Sequence, residues 1–173
     1  MKPNLKDIKI IILDVDGTMT DGKISYDNNN IETKSFNVKD GMAIAQAIKY
    51  GIKVAIITGR NSKIVENRGS ELGILDIYQG VGNKIEILDR LLEKYNYEYK
   101  NVAYMGDDIN DIPPMMRANY VGITADAVSD IEEFADFKSI YNGGYGAVRE
   151  FIETILRANG IWSKIIESYR SKK

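Results

Sequence analysis

Five aspartates fall in two short clusters whose spacing suits cation and phosphate chemistry. Asp14-Val15-Asp16-Gly17-Thr18 follows the apolar run Ile8 to Leu13, and Gly106-Asp107-Asp108-Ile109-Asn110-Asp111 follows Val102 to Met105. A third polar cluster, Thr58-Gly59-Arg60, follows Lys53 to Ile57. Ligands of open parallel sheets bind beyond the carboxyl ends of the strands, so these three places define one candidate cleft. Gathering Asp14, Asp16, Asp107, Asp108 and Asp111 there is costly by mutual repulsion unless a cation is bound. Magnesium suits the donor set, because it takes oxygen ligands octahedrally from one or two carboxylates, waters and a substrate phosphate. Each cluster alone also suits a turn or a helix cap; the combination points to a site.

The composition narrows what chemistry is open. The 173 residues include no cysteine and no histidine. A disulfide framework, thiolate or imidazole zinc sites, a cysteine nucleophile and Ser-His arrangements are therefore excluded. Carboxylates, lysines and hydroxyls must do any catalysis. With 23 Lys plus Arg against 25 Asp plus Glu, the net charge of -2 offers no general basic footprint for nucleic acid or an anionic membrane. The polar start, Met1 to Asp7, lacks the apolar core of a secretory signal. No apolar run approaches the roughly 20 residues needed to span a bilayer. The expectation is a soluble cytoplasmic protein.

The elements that position these residues follow from periodicity. Short β-branched runs (8–13, 53–57, 76–78, 102–105 and 120–123) alternate with stretches of helical period. Gly41 to Tyr50 is expected as a helix capped by Asp40 and ended by Gly51, followed by helices over Ser62 to Leu72 and Lys84 to Tyr95. This is the pattern of an α/β fold, a doubly wound parallel sheet of Rossmann-like type in one domain over 1–173. Lys23 to Tyr26 and Glu32 to Val38, joined by Asp27-Asn28-Asn29-Asn30, predict an inserted β-hairpin, a flap over about 22–38. Its edges need covering, which favours packing against another subunit. A helical tail over about 147–173 is expected to break at Asn159-Gly160 and to end in the basic Ser171 to Lys173.

With these motifs in this order, Asp14-Val15-Asp16-Gly17-Thr18, Thr58, Lys84, then Gly106-Asp107-Asp108 with Asp111, the chain resembles the haloacid dehalogenase superfamily of phosphatases. The resemblance implies that Asp14 is a nucleophile forming an aspartyl-phosphate, and that Asp16 is the general acid and then the base. It further implies that Thr58 and Lys84 bind the phosphate oxygens. Magnesium would be held by the Asp14 side chain, the Asp16 backbone carbonyl and Asp107, with Asp108 and Asp111 supporting the site from behind. Lys84 taken alone reads more readily as a solvated helix residue; the flanking motifs are what give it a role.

With only a hairpin between Asp16 and Thr58 and no large later insertion, the chain is similar to the capless group, whose sites are completed by neighbouring subunits. Within it the resemblance is to phosphatases of keto-deoxy sugar acids in lipopolysaccharide biosynthesis, which form homotetramers. It is carried by Thr20-Asp21-Gly22, Phe36-Asn37-Val38-Lys39-Asp40-Gly41, Ile56-Ile57-Thr58-Gly59-Arg60 with Arg68, Tyr78-Gln79-Gly80, and Gly143-Gly144 with Gly146 to Glu150.

The implied substrate is an eight-carbon sugar acid 8-phosphate, a small sugar phosphate with a carboxylate at its other end. Arg60 and Arg68, about two helical turns apart, offer two guanidiniums to that carboxylate. Asn37, Val38, Lys39, Asp40 and Gly41, on the return strand, would line the sugar pocket, with Asp40 alternatively a helix cap.

Two departures stand out, Tyr145 and Lys39, where the family commonly has Arg. A nine-carbon 9-phosphate is the rival substrate, disfavoured because Glu is expected there in place of Arg60. A non-catalytic oligomerisation domain would have no need of every carboxylate. A signalling receiver gives no reason for Asp16. Gly144-Tyr145-Gly146 lacks the third glycine of a dinucleotide-binding turn.

Overall fold

The computed structural model describes residues 3–171; Met1, Lys2, Lys172 and Lys173, and with them the basic end of the tail, lie outside the described residues. Strand β1 (Ile10–Leu13) is four apolar residues without exposed surface, which only a strand covered on both faces can use. It lies between β4 (Lys53–Ile57) and β6 (Val102–Gly106). Outside these are β5 (Asp76–Tyr78) on one side, and β7 (Tyr120–Ile123) and β8 (Phe137–Lys138) on the other. The sheet order is β5-β4-β1-β6-β7-β8, with every pairing parallel. The strand order therefore reverses between β1 and β6, which is where ligands bind in doubly wound sheets.

Side chains alternate between two apolar layers with the period of two that strands impose. Ile11, Leu13, Val54, Ile56, Ala103 and Met105 face helices α1 (Val38–Lys49), α2 (Lys63–Glu71), α5 (Ala147–Ala158) and α6 (Ile161–Arg170). Ile10, Ile12, Ala55, Ile57 and Tyr104 face α3 (Lys84–Tyr95) and the single turn α4 (Ile112–Met115). Helix α5 buries Val148, Phe151, Ile152, Ile155 and Leu156, the i, i+3, i+4 spacing of a core-facing stripe. Phe151 stacks on Tyr120 at 5.1 Å between ring centroids. Gly122 makes room for that ring, since a Cβ there would lie 2.5 Å from Phe151. Trp162, the one tryptophan of the chain, is buried at the start of α6 beneath two guanidiniums, Arg149 at 4.5 Å and Arg157 at 5.7 Å. Glu153 pairs with both arginines.

Several boundaries differ from the sequence expectation. The first helix begins at Val38, not Gly41, because Asn37 accepts the Lys39 amide at 2.8 Å and caps it. Asp40 is thus inside the first turn of α1, and it caps a different helix, accepting the Arg149 amide of α5 at 2.8 Å. The hairpin strands shorten to β2 (Ser25–Tyr26) and β3 (Glu32–Thr33), so Asn37 to Gly41 lie at a helix start, not on a return strand. Strand β8 carries only two residues, too few for a periodic signal. The tail breaks at Asn159-Gly160 as expected, Gly160 taking φ 67°.

Candidate active site

The end of β1 places Asp14 at the reversal point, its amide bonded to the Met105 carbonyl of β6 at 3.0 Å. The chain then curls around the Val15 carbonyl, which accepts the amides of Thr18, Met19 and Thr20. Gly17 makes this curl possible: its φ is +92°, and a Cβ would lie 1.9 Å from the Asp107 carboxylate. The first and fourth motifs are therefore in contact, and the Thr18 hydroxyl donates to Asp107 at 3.1 Å. Behind them the Gly143-Gly144 segment packs on the same loop, where a Cβ at 143 would meet the Gly17 carbonyl oxygen at 1.8 Å.

Asp111 is buried under the cluster and fully engaged. One oxygen accepts the Tyr104 hydroxyl at 2.6 Å and the Lys84 ammonium at 2.6 Å; the other accepts the amides of Asp107 and Asp108 at 3.0 and 3.3 Å. Lys84, at the first position of α3, also reaches Asp14 at 2.8 Å. Thr58 lies beyond β4, its amide on the Tyr78 carbonyl. Asp14, Asp16, Thr58, Gly59, Arg60, Asp107, Asp108 and Asn110 line a cleft of about 180 Å³.

The charges in this cleft are unbalanced. Asp14, Asp107 and Asp111 present oxygens that all lie within 4.8 Å of one another. Burial and then the charge of Asp111 push Asp14 up to about 6 despite Lys84. Burial, then Asp14 and Asp111, push Asp107 up to about 8. Burial acts to lower the Lys84 pKa, but Asp14 and Asp111 outweigh it and hold the ammonium above its ordinary value. Two carboxylates held against ionisation on an open cleft fit a bound divalent cation, which removes the repulsion. Asp14 and Asp107 suit it as ligands. Asp111, with four protein donors on its two oxygens, has no lone pair to offer and belongs behind the site.

Asp16 sits at the cleft rim, where Lys34 of the hairpin contacts one carboxylate oxygen and Arg60 Nε lies 3.8 Å from the other. Arg60 is in the bend before α2, so it does not share a helical face with Arg68 as expected. Its Nη2 donates to Glu32 at 2.9 Å. Arg68 is away from the cleft, bonded to Glu71 at 2.8 Å and packed over Gly41, where a Cβ would lie 2.3 Å from its guanidinium. Asn37, Val38 and Lys39 line an adjacent groove of about 400 Å³ with Phe36, Gly144 and Tyr145. Asp40 faces neither cavity; burial pushes it up to about 6. Asp108 caps the turn Ile109–Asp111.

Sequence reasoning missed Lys34, Glu32, Ser62 and Tyr104, and gave Thr18 no contact beyond its place in the first motif. Glu32 and Lys34 are two residues apart, on one face of the strand expected over Glu32 to Val38, a signal that was available. A tyrosine inside an apolar strand must find a partner for its hydroxyl, and Tyr104 finds Asp111.

A profile of haloacid dehalogenase-like hydrolases matches residues 31–119. The 3-deoxy-D-manno-octulosonate 8-phosphate phosphatase KdsC of Salmonella typhi is 45% identical over 155 residues, covering 90% of this chain and 82% of that protein. The Yersinia pestis protein of the same name is 42% identical over 151 residues, covering 87% and 81%. A crystal structure of 3-deoxy-D-manno-octulosonate 8-phosphate phosphatase from Moraxella catarrhalis, in complex with a magnesium ion, a phosphate ion and a KDO molecule, superposes with a TM-score of 0.94. It is 37% identical, over 96% of this chain and 95% of that one. The aspartate cluster, the lysine bridging it and the switch-point geometry agree with these likenesses, and the chain belongs to the haloacid dehalogenase-like hydrolases, in the family of 3-deoxy-D-manno-octulosonate 8-phosphate phosphatases.

Proposed function

We propose that this chain hydrolyses 3-deoxy-D-manno-octulosonate 8-phosphate to the free sugar acid and phosphate, as a magnesium-dependent phosphomonoesterase of lipopolysaccharide biosynthesis. The observation that carries the reading is the buried Lys84 ammonium held 2.8 Å from Asp14, beneath an acidic cleft. Such a cation offsets the repulsion between an incoming phosphate and a carboxylate nucleophile. Asp14 attacks phosphorus, an oxygen–phosphorus bond forming as the bond to the ester oxygen breaks, while Asp16 gives a proton to the departing alkoxide. Water then loses a proton to Asp16, attacks phosphorus and releases Asp14. Lys84 and Thr58 hold the transferred oxygens. Magnesium, held by the Asp14 side chain, the Asp16 backbone carbonyl and Asp107, supplies charge neutralisation when bound. Asp111 keeps Lys84 in place, and Asp108 shapes the turn that carries Asp111.

Arg60, on the cleft wall, is the group we assign to the sugar end of the substrate. Asn37, Val38 and Lys39 are assigned to the adjacent groove, as sugar contacts offered to a neighbouring subunit. A homotetramer working in the cytoplasm belongs to the same reading. It is supported by the exposed hairpin side chains Ile24, Tyr26 and Ile31. Among the described residues no helix is long and apolar enough to cross a membrane.

The test is phosphate release from the eight-carbon 8-phosphate and a nine-carbon 9-phosphate, with and without magnesium. The eight-carbon ester is expected to give the higher kcat/KM, only with the metal, and Asp14→Asn to abolish turnover. Equal or reversed preference refutes the substrate, and turnover by Asp14→Asn refutes the nucleophile.

A further inference from the structure

The hairpin is more than a cover, because it brings a buried cation to the rim of the cleft. Lys34 has a side chain only 1% exposed, and its ammonium contacts Asp16 Oδ1. Its other acidic neighbour, Glu32, is at 3.6 Å. Glu32 in turn is tied to the core beneath: one oxygen accepts Arg60 Nη2 at 2.9 Å, and the other accepts the Ser62 hydroxyl at 2.7 Å. The Tyr26 hydroxyl, from the opposite hairpin strand, is 3.3 Å from the same guanidinium. Arg60 Nε, buried and without a hydrogen-bond partner, faces Asp16 Oδ2 at 3.8 Å.

A buried ammonium is costly unless paired, so its position on one oxygen of Asp16 is strongly determined. Proton transfer demands that the donating oxygen be within hydrogen-bond reach of the ester oxygen, and a carboxylate free to rotate about its side-chain bonds meets that demand only part of the time. We infer that Lys34 is a positioning residue for the proton-transfer step: it pins Asp16 by Oδ1 and so leaves Oδ2, which lies 3.8 Å from Arg60 Nε and outside hydrogen-bond distance of it, to serve the leaving group, and the clasp of Glu32 on Arg60 and Ser62 holds the hairpin at the height that makes this contact. The inference rests on the acid–base reading of Asp16. It also gives Arg60 a second duty, as the core's grip on the hairpin.

The leaving group provides the readout. An alkoxide needs a proton as the phosphorus–oxygen bond breaks, whereas p-nitrophenolate leaves without one. The ratio kcat/KM reports only the steps through cleavage of the ester bond, so the later use of Asp16 as a base does not enter it. The experiment measures kcat/KM along a series from p-nitrophenyl through phenyl to alkyl phosphates, at saturating magnesium, for wild type, Asp16→Asn, Lys34→Met, Lys34→Arg and Glu32→Gln. Lys34→Met fills the buried slot with an apolar side chain of similar length, and Glu32→Gln loosens the clasp while leaving the slot intact. Lys34→Met is expected to lose about tenfold or more on alkyl esters against about threefold or less on the p-nitrophenyl ester, steepening the leaving-group dependence as Asp16→Asn does. Lys34→Arg recovers part of the loss, Glu32→Gln shows a smaller steepening, and Lys34→Met adds nothing in the Asp16→Asn background. Equal losses across the series for Lys34→Met and Glu32→Gln, with Asp16→Asn steepened, overturn the positioning role and leave the acid assignment standing. An unsteepened Asp16→Asn overturns both.

Discussion

Titration of magnesium into the metal-free protein is expected to expel about one proton per ion bound at pH 7. The two candidate ligands are pushed up to about 6 for Asp14 and about 8 for Asp107. At pH 7 the first is then about one-tenth protonated and the second about nine-tenths, and a cation needs both ionised. The same arithmetic gives about 0.1 proton at pH 9 and about 1.5 at pH 6. Apparent affinity should therefore weaken about tenfold from pH 9 to pH 7, and a further ten- to twentyfold by pH 6.

The assay is isothermal titration calorimetry at each pH in two buffers of different ionisation enthalpy, whose difference in apparent heat counts the protons. A companion sign applies to stability. Both pKa values lie above the ordinary 3.8, so the folded, metal-free protein holds protons more tightly than the unfolded chain. It should lose stability as pH rises from about 4 to about 8, and saturating magnesium should restore it. Proton release near zero at pH 7, with affinity flat from pH 6 to pH 9, would refute the claim that burial and mutual repulsion of these carboxylates create the cation site.

Other perturbations test the supports of the site. Tyr104→Phe removes a 2.6 Å hydrogen bond from Asp111 and is expected to cost about 1–2 kcal/mol in urea unfolding, with kcat/KM falling about tenfold because Asp111 orients Lys84; wild-type kinetics would show the hydroxyl to be dispensable. Asp40→Ala leaves the Arg149 amide without its acceptor and should lower stability by about 1 kcal/mol, as loss of a helix cap does; an unchanged melting temperature would count against the capping role. Gly122→Ala drives a methyl to 2.5 Å from Phe151, and the overpacking should cost about 1–3 kcal/mol by thermal or chemical denaturation. Neutrality there would mean that the aromatic stack can shift.

The catalytic constellation was legible because it needs little from tertiary detail. A run such as Ile10-Ile11-Ile12-Leu13 is a central strand by composition, and the polar residue that follows such a strand faces the ligand side of the sheet. That placed Asp14, Thr58 and Asp107, and Lys84 starts α3 at the residue expected. What stayed hidden depends on long-range geometry. Asp40 has the type and local position of a helix cap, yet its partner is an amide 109 residues away. Arg60 and Arg68 have a spacing that suggests one helical face, but the helix starts at Lys63, after Arg60. The pairing of Lys34 with Asp16 and of Glu32 with Arg60 requires the hairpin to fold over the cleft, and strand periodicity shows only that Glu32 and Lys34 share a face.

The burial of Trp162 beneath Arg149 and Arg157 gives this protein a built-in optical probe. With no other indole in the chain, intrinsic fluorescence excited near 295 nm comes from one place, the junction of α5 and α6. That junction is wired to α1, since the Arg149 that stacks on the ring offers its amide to Asp40. Asn37, three residues before Asp40, donates to the Gly144 carbonyl at the adjacent groove. Emission from a single side chain can thus follow docking of the C-terminal helices and events in the groove, at a distance from the carboxylates and without an added label.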